Sequence, residues 1–466
     1  MVHTADPARQ PLVFAWIAAL LMLGVAHSPT AYAQAPGVGD APAAASSSAD
    51  AMLLPPPPAP RKIASWDEAL TLIRSRSPDY ITSYESVVRA EAQTRIALAA
   101  VLPTLDAQGA YTHQLLSPAR ITIGGATLVT PPADVWTAGG KLSWAIVNPR
   151  AIYGLGTADK NVELVKLTFE DRRRVIALAL VNAMITTLAT ARVAELNRTG
   201  LRAALDRLAL TQARLQFGQG TQLDVDRAQQ DVAAARATLI TGDESLRQAR
   251  EALGVALGSP VPIAPPGDLD LDQFESGIAR ACRLNDDIER RPDVAAARSR
   301  VELARRAIRD AELQLAPTLN LSSQLNYSNQ PVLAPNTTWS LGAVLDLPLY
   351  DGGARYGALR DSRAAFEQAR QALVLARLEA LVGSAQARRG VGVAEQSRDV
   401  ARAQRDLAAR IDWRTRDGYA HGLGTSLDLV ISAQALRQAD INLALLDFQV
   451  GEARANAILT NAECAY

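Results

Sequence analysis

The chain repeats itself, and the spacing of the repeat limits what it can fold into. Pro78-Asp79 and Pro103-Thr104-Leu105 recur as Pro292-Asp293 and Pro317-Thr318-Leu319, both 214 positions later. Trp136 and Tyr153-Gly154 recur as Trp339 and Tyr356-Gly357 after 203 positions. Gly218, Gly220-Thr221 and Leu223-Asp224 recur as Gly422, Gly424-Thr425 and Leu427-Asp428 after 204. The anchors keep their order, so each half is one structural unit, 61–257 and 292–463, joined by a linker at 258–291. The drop from 214 to 203 places about eleven extra residues of the first copy between Thr112 and Trp136, as a longer surface loop would.

Within each unit the hydrophobic period changes twice. Residues 61–101 and 293–315 are Ala-rich with charged faces and stop just before a proline, which reads as helix. After Pro317, Leu319, Leu321, Leu325 and Tyr327 alternate with Asn320, Ser322, Gln324 and Asn326. Trp339, Leu341, Ala343, Leu345 and Leu347 then oppose Ser340, Gly342 and Asp346. In the first copy Leu105, Ala107 and Tyr111 oppose Asp106, Gln108 and Thr112, and Trp136, Ala138, Leu142, Trp144 and Ile146 oppose Thr137, Lys141 and Ser143. A two-residue period marks strands, and a tilted strand of about ten residues crosses a bilayer. A soluble half-buried strand alternates in the same way, so the weight rests on all four together. The aromatics Tyr111, Trp136, Trp144, Tyr327 and Trp339 lie towards strand ends, as membrane-interface girdles do. Four strands cannot close a barrel, and lipid does not tolerate an open edge. Three copies would supply twelve.

The segments after the strands are long helices. The first, from Ala151 to about Gln216, would run on the order of 90 to 100 Å at 1.5 Å per residue, with Gly200 as its marked interior glycine. Leu201, Leu205, Leu208 and Leu215, and in the second copy Val374, Leu378 and Leu381, have heptad-like spacing. Turns at Gly218, Gly220 and Thr221, and at Gly422, Gly424 and Thr425, send each chain segment back as a helical hairpin. The fold class is therefore α+β: long α-helical hairpins plus four transmembrane β-strands per chain, closing as a trimer into a 12-stranded barrel.

The N-terminus reads as a secretory signal peptide over 1–33. Arg9 precedes an apolar run from Leu12 to Ala26, and Ala31-Tyr32-Ala33 supplies a small-x-small cleavage site. Residues 34–60 are rich in Ala, Pro, Ser and Gly and end in Pro55–Pro58, a composition that predicts a disordered leader. Beyond the signal no stretch offers roughly 20 continuous apolar residues for a membrane helix. Acidic and basic residues balance at 48 each and are interspersed, which gives no footprint for nucleic acid. The two cysteines, Cys282 and Cys464, could pair in an oxidising compartment or be two buried spectators, and spacing does not choose between them. The four histidines, His3, His27, His113 and His421, have no paired ligand or nucleophile spacing, so no catalytic, cofactor or metal site is expected.

Taken in order, Arg291-Pro292-Asp293-Val294, Ala316-Pro317-Thr318-Leu319, Leu347-Pro348-Leu349-Tyr350-Asp351-Gly352-Gly353 and Gly418-Tyr419 through Gly424-Thr425 to Leu427-Asp428 resemble the outer-membrane efflux protein family, the TolC-like channel-tunnels. The resemblance covers about residues 61–463. It implies a homotrimer in the outer-membrane lipid, with a helical tunnel reaching through the periplasm to an adaptor and an inner-membrane pump such as an ABC exporter. It also implies closure of the tunnel at the hairpin turns by a tyrosine, aspartates and an arginine. Tyr419, Asp428 and Asp224 occupy matching positions, whereas Gly424 stands at the arginine position. Arg214 and Arg416 lie nearby as substitutes, although a solvated surface place is the plainer reading of both.

Asp224 and Tyr419 are expected to hydrogen-bond between neighbouring hairpins, and three copies of Asp428 to favour cations at the narrow end. Simple capping of the return helices by both aspartates is an equal alternative. No cysteine follows the signal directly, which points to type I export of a protein toxin ahead of small-molecule or drug efflux. A periplasmic coiled-coil adaptor is the rival from another class.

Overall fold

The computed structural model describes residues 50–113, 115, 120–124, 126–129, 134–266, 271–284, 287–329 and 336–464. The signal peptide and the leader up to residue 49 lie outside the described residues.

The sequence-predicted helix over 61–101 is three elements: β1 (Arg61–Lys62), α1 (Trp66–Arg76) and α2 (Pro78–Ala99). Pro78 starts α2 at its first turn, and the residue before a proline is pushed out of the helical region, so Ser77 is extended and breaks the run. Strand β2 (Thr104–His113) follows. The extra residues of the first copy then form a hairpin of their own, β3 (Arg120–Ile123) and β4 (Ala126–Val129), before β5 (Asp134–Val147). Helix α3 (Pro149–Gln216) runs 68 residues and returns as α4 (Gln222–Ala256).

The linker between repeats is structured. It holds β6 (Ile263–Ala264), α5 (Leu271–Ala281), β7 (Cys282–Leu284) and a 3-10 turn at Ile288–Arg290. The second copy gives α6 (Pro292–Leu313), β8 (Thr318–Ser328), β9 (Thr337–Asp346), α7 (Ala354–Ala420) and α8 (Ser426–Asn461), and ends in β10 (Ala462–Cys464).

The long helices start where the backbone is prepared for them. Asn148 caps α3 by accepting the Ala151 N–H at 3.0 Å, with Pro149 at the first helical position. In the second copy Gly352 and Gly353 take φ of 71° and 92°, which only glycine adopts freely, and the Asp351 carboxylate accepts the Gly353 and Arg355 N–H groups.

Along α3 the shorter helices lie end to end. Arg172–Asp79 and Lys166–Glu91 tie its first half to α2, while Thr187 to the Ala249 carbonyl and Asn197 to the Thr238 carbonyl tie its second half to α4. Between them lies the waist of the molecule. There Leu180, Val181 and Met184 of α3 pack with Leu70 and Ile73 of α1, Leu253, Ile278 of α5 and Leu459 of α8. This waist explains why α3 is apolar enough over 18 residues to pass for a membrane span: half of that window is buried in the core.

Residues 50–60 differ from the disordered leader that composition predicts. Asp50 pairs with Arg236 at 2.9 Å, Met52 and Leu53 pack on a cluster of Leu201, Ala204, Val232 and Leu239, and the Pro57 carbonyl accepts from Arg250. Two apolar side chains, one ion pair and one hydrogen bond hold the strap, and its prolines have little backbone freedom to lose.

Strands β2, β5, β8 and β9 form one antiparallel sheet in that order, with β5 and β8 joining the two repeats at its centre. The register aligns chemistry across all four. Leu105 faces Leu142, Tyr111 faces Trp136, Leu325 faces Trp339 and Leu319 faces Leu345 on one side. Asp106 faces Lys141, Lys141 faces Gln324 and Gln324 faces Ser340 on the other. The sheet thus has one apolar and one polar surface. Ser323 falls on the apolar side, where its hydroxyl accepts the Trp339 indole N–H at 2.9 Å.

Candidate functional site at the hairpin turns

Both hairpins turn by the same device. In the first, the Gly218 N–H reaches the Leu215 carbonyl and the Gln219 N–H the Arg214 carbonyl, at 3.0 and 2.8 Å. In the second, Gly422 reaches Tyr419 and Leu423 reaches Gly418, at 3.1 and 2.8 Å. Gly218 and Gly422 sit at φ of 72° and 78°, the left-handed position that ends a helix. Gly424 is tightly enclosed, since an added Cβ would stand 3.2 Å from the Tyr419 backbone nitrogen and push the turn apart by a few tenths of an ångström. Gly220 is less confined, with the Arg214 Cβ and the Leu215 nitrogen 3.4 Å from where a Cβ would stand.

The return helices are capped reciprocally. Thr221 Oγ1 accepts the Asp224 N–H while the Asp224 carboxylate accepts the Thr221 N–H at 2.9 Å, and Thr425 and Asp428 repeat the pattern. Asp224 does more than cap. Its second carboxylate oxygen accepts the Ser426 hydroxyl of the other hairpin, and that bond chiefly, with the Thr221 groups, holds its carboxyl below the usual carboxylate range. Asp428 makes its hydrogen bonds within its own turn.

Tyr419 is buried, and its partner in the protomer is Arg214. The guanidinium lies 4.2 Å from the ring centroid and donates to the Ala420 carbonyl at 3.1 Å. Within the chain Asp224 bonds to Ser426 and Tyr419 meets Arg214, which leaves the Asp224–Tyr419 bond expected from sequence to a contact between neighbouring copies. Arg416 stays on its own helix, 2.7 Å from Asp412. The geometry shows why Arg214 leaves the solvated face expected for it: Tyr419 and the end of α7 lie within reach across the hairpins.

Deeper along the helices, Arg207 and Asp231, both buried, form an ion pair between α3 and α4, and Gln434 of α8 donates to the other Asp231 oxygen at 3.0 Å. Gly200 admits Arg437 of α8, whose side chain lies 2.6 Å from where a Cβ would stand. Sequence reading missed Ser426, Arg207, Asp231 and Gln434. For Arg214 and Ser426 a signal existed: these are positions where the two copies of the turn differ, as Arg214 corresponds to Gly418 and Ser426 to Gln222.

The family model described as outer membrane efflux protein matches residues 70–259 and 284–458, most of the chain. The chain belongs to the outer membrane efflux protein family.

A pyoverdine export outer membrane protein of Pseudomonas aeruginosa, OpmQ, is 26% identical over 63% of this chain and 63% of its own length. The proteases secretion protein PrtF of Dickeya chrysanthemi is 26% identical over 37% of this chain and 39% of its own length. The chain thus matches less than two thirds of each relative. Among solved structures, the CmeC outer membrane channel of Campylobacter jejuni superposes with a TM-score of 0.71 at 14% identity, covering 84% of both chains. That likeness shows the outer membrane efflux protein fold. Membership places the chain in the outer membrane and sets aside both the enzyme and the periplasmic adaptor.

In this frame the sheet aromatics take definite places. Tyr111 and Trp136 pack 4.7 Å apart at the loop end of the sheet, near Tyr327, while Trp144 lies at the helix end and donates to the Val101 carbonyl at 3.1 Å. Trp339 sits on the same apolar surface, largely exposed.

Proposed function

We propose that the chain is one third of an outer-membrane export channel whose inner end is closed at the two hairpin turns. One observation carries this reading: a four-stranded sheet, apolar on one face and polar on the other, leads directly into two helical hairpins about 100 Å long. Sheet edges β2 and β9 are open, which lipid does not tolerate, and two neighbouring copies would cover them. Helix α7 agrees. Val374, Leu378 and Leu381, the seam read from heptad spacing, are about half exposed in the single chain, and Leu407, Ile411 and Trp413 extend the apolar stripe. A neighbouring copy would bury it, as a solvated helix would not carry it.

In this assembly Tyr111, Trp136, Tyr327 and Trp339 on one side and Trp144 on the other meet the two membrane interfaces. Asp428 lines the narrow end as a ring of three carboxylates. The hairpin ends engage a periplasmic adaptor and an inner-membrane pump.

For cargo, we propose a polypeptide exported by a type I system with an ABC exporter, of the haemolytic toxin class. The similarity to PrtF, described as a protein for secreting proteases, supports a polypeptide. The longer match to OpmQ, described as exporting pyoverdine, supports small-molecule export as the second reading.

The native mass in detergent after extraction from outer membrane tests the assembly: a trimer is expected, and a monomer would overturn it. Deleting the gene and comparing culture supernatants separates the cargoes. Loss of a secreted polypeptide and of its lysis of erythrocytes supports toxin export. An unchanged secreted proteome with raised sensitivity to toxic small molecules would replace it with efflux.

A further inference from the structure

The chain has two cysteines in 466 residues, and the fold brings their backbones face to face. Cys282 opens β7 at the end of α5, and Cys464 closes β10 at the end of α8. The strands pair antiparallel with Cys282 opposite Cys464, Arg283 opposite Glu463 and Leu284 opposite Ala462. Residues 182 positions apart in sequence thus become direct cross-strand partners.

Directly opposed residues of an antiparallel pair have Cα atoms roughly 4.5 or 5.5 Å apart, according to the hydrogen-bonding position. Both values fall within the range of roughly 4.4–6.8 Å that a disulfide spans. A slip of one residue in register would set Arg283 or Glu463 against a cysteine instead. The register is fixed from both sides, because Ile278 of α5 and Leu459 of α8, each a few residues before its cysteine, are fully buried in the waist core.

We propose that Cys282 and Cys464 form an intrachain disulfide that closes the C-terminal end of the chain onto the linker between the repeats. Each thiol gives up its proton and the new S–S bond forms. The two electrons pass by thiol–disulfide exchange to the disulfide of an envelope thiol oxidoreductase, which leaves as the dithiol. The outer-membrane location of the family supplies the oxidising compartment. The bond would fix the waist end of α8 covalently, while its other end begins at Ser426, whose hydroxyl donates to Asp224 of the first hairpin. Opening of the turns would then pivot α8 about a fixed waist.

The test uses full-length protein extracted from outer membrane, unfolded in guanidinium with N-ethylmaleimide so that burial cannot protect a thiol, and digested with trypsin without reduction. The expected result is no maleimide on either cysteine and one linked species joining Ala281–Arg283 to Ala455–Tyr466, with the chain running as a single-chain band on a non-reducing gel. After reduction both peptides take the label, and Cys282→Ser exposes Cys464 to labelling without reduction. Maleimide on both cysteines before reduction would overturn the proposal. So would a link found only in a two-chain band.

Discussion

Arg214 of the first hairpin lies over the Tyr419 ring of the second, 4.2 Å from its centroid, and donates to the Ala420 carbonyl beside it. The ring face, not the hydroxyl, makes this contact, so Tyr419→Phe is expected to keep the closed state in planar-bilayer conductance. Tyr419→Ala and Arg214→Ala should raise it. A cation over an aromatic ring at a surface contributes about 0.5–1 kcal/mol, roughly a two- to fivefold shift towards open per protomer. Equal conductance in Arg214→Ala and wild type would remove the latch.

Ser426→Ala and Asp224→Asn remove the second tie between the hairpins and should also raise conductance. The pH dependence has a definite sign. The Asp224 carboxyl is held below its ordinary value in the folded state, chiefly by Ser426. Its contribution is therefore complete above the unfolded carboxylate pKa of about 3.9 and is lost as pH falls through the lower folded value. Because Asp224 stays ionised, wild-type conductance should not vary with its titration between about pH 5 and 8 and should rise only below about 4. A rise centred near neutral pH that Asp224→Asn abolishes would contradict the assignment.

Asp428 is both a helix cap and, in a trimer, part of a ring of three carboxylates, and two variants separate the roles. Asp428→Asn keeps a side-chain oxygen for the Thr425 N–H and should leave hairpin stability close to wild type while weakening cation selectivity. Asp428→Lys should reverse selectivity towards anions, measured as a reversal potential in a salt gradient. Unchanged cation selectivity in Asp428→Lys leaves only the cap.

The Arg207–Asp231 pair is buried and joined by Gln434, so breaking one side strands a charge. Asp231→Ala is expected to destabilise by about 3–5 kcal/mol, whereas Arg207→Met with Asp231→Leu should be close to neutral. Thermal dissociation of the purified assembly reads both. A double variant as damaged as the single one would show that the pair does more than satisfy itself.

Neighbouring residues of β9 test the two faces of the sheet. Leu341, on the apolar face, changed to Arg should cost about 2–4 kcal/mol if it lies near the bilayer midplane and reduce assembled protein in the membrane. Ser340→Arg, one residue earlier on the polar face, should assemble normally and alter ion selectivity. Equal tolerance of both would argue against a membrane barrel.

By itself the sequence determined the repeat, the four strands and the two hairpins. Each of these follows from local periodicity and from glycine and proline punctuation, and the turn glycines Gly218 and Gly422 are required by their own backbone angles. Tertiary structure decided what depends on two distant segments meeting. The break at Ser77 belongs with these only in part, since Pro78 signalled it and the continuous Ala-rich pattern masked it. The register that puts Cys282 opposite Cys464, the strap of residues 50–60 on α4, and the choice of Ser426 for Asp224 and Arg214 for Tyr419 could not be read locally. The two copies of the turn share the glycines, threonine and aspartate that build each hairpin and differ at Arg214/Gly418, Leu215/Tyr419 and Gln222/Ser426, which join one hairpin to the other, while Asp224 serves both purposes. Local geometry constrains a turn wherever it occurs, whereas a contact between turns constrains only the side that supplies it.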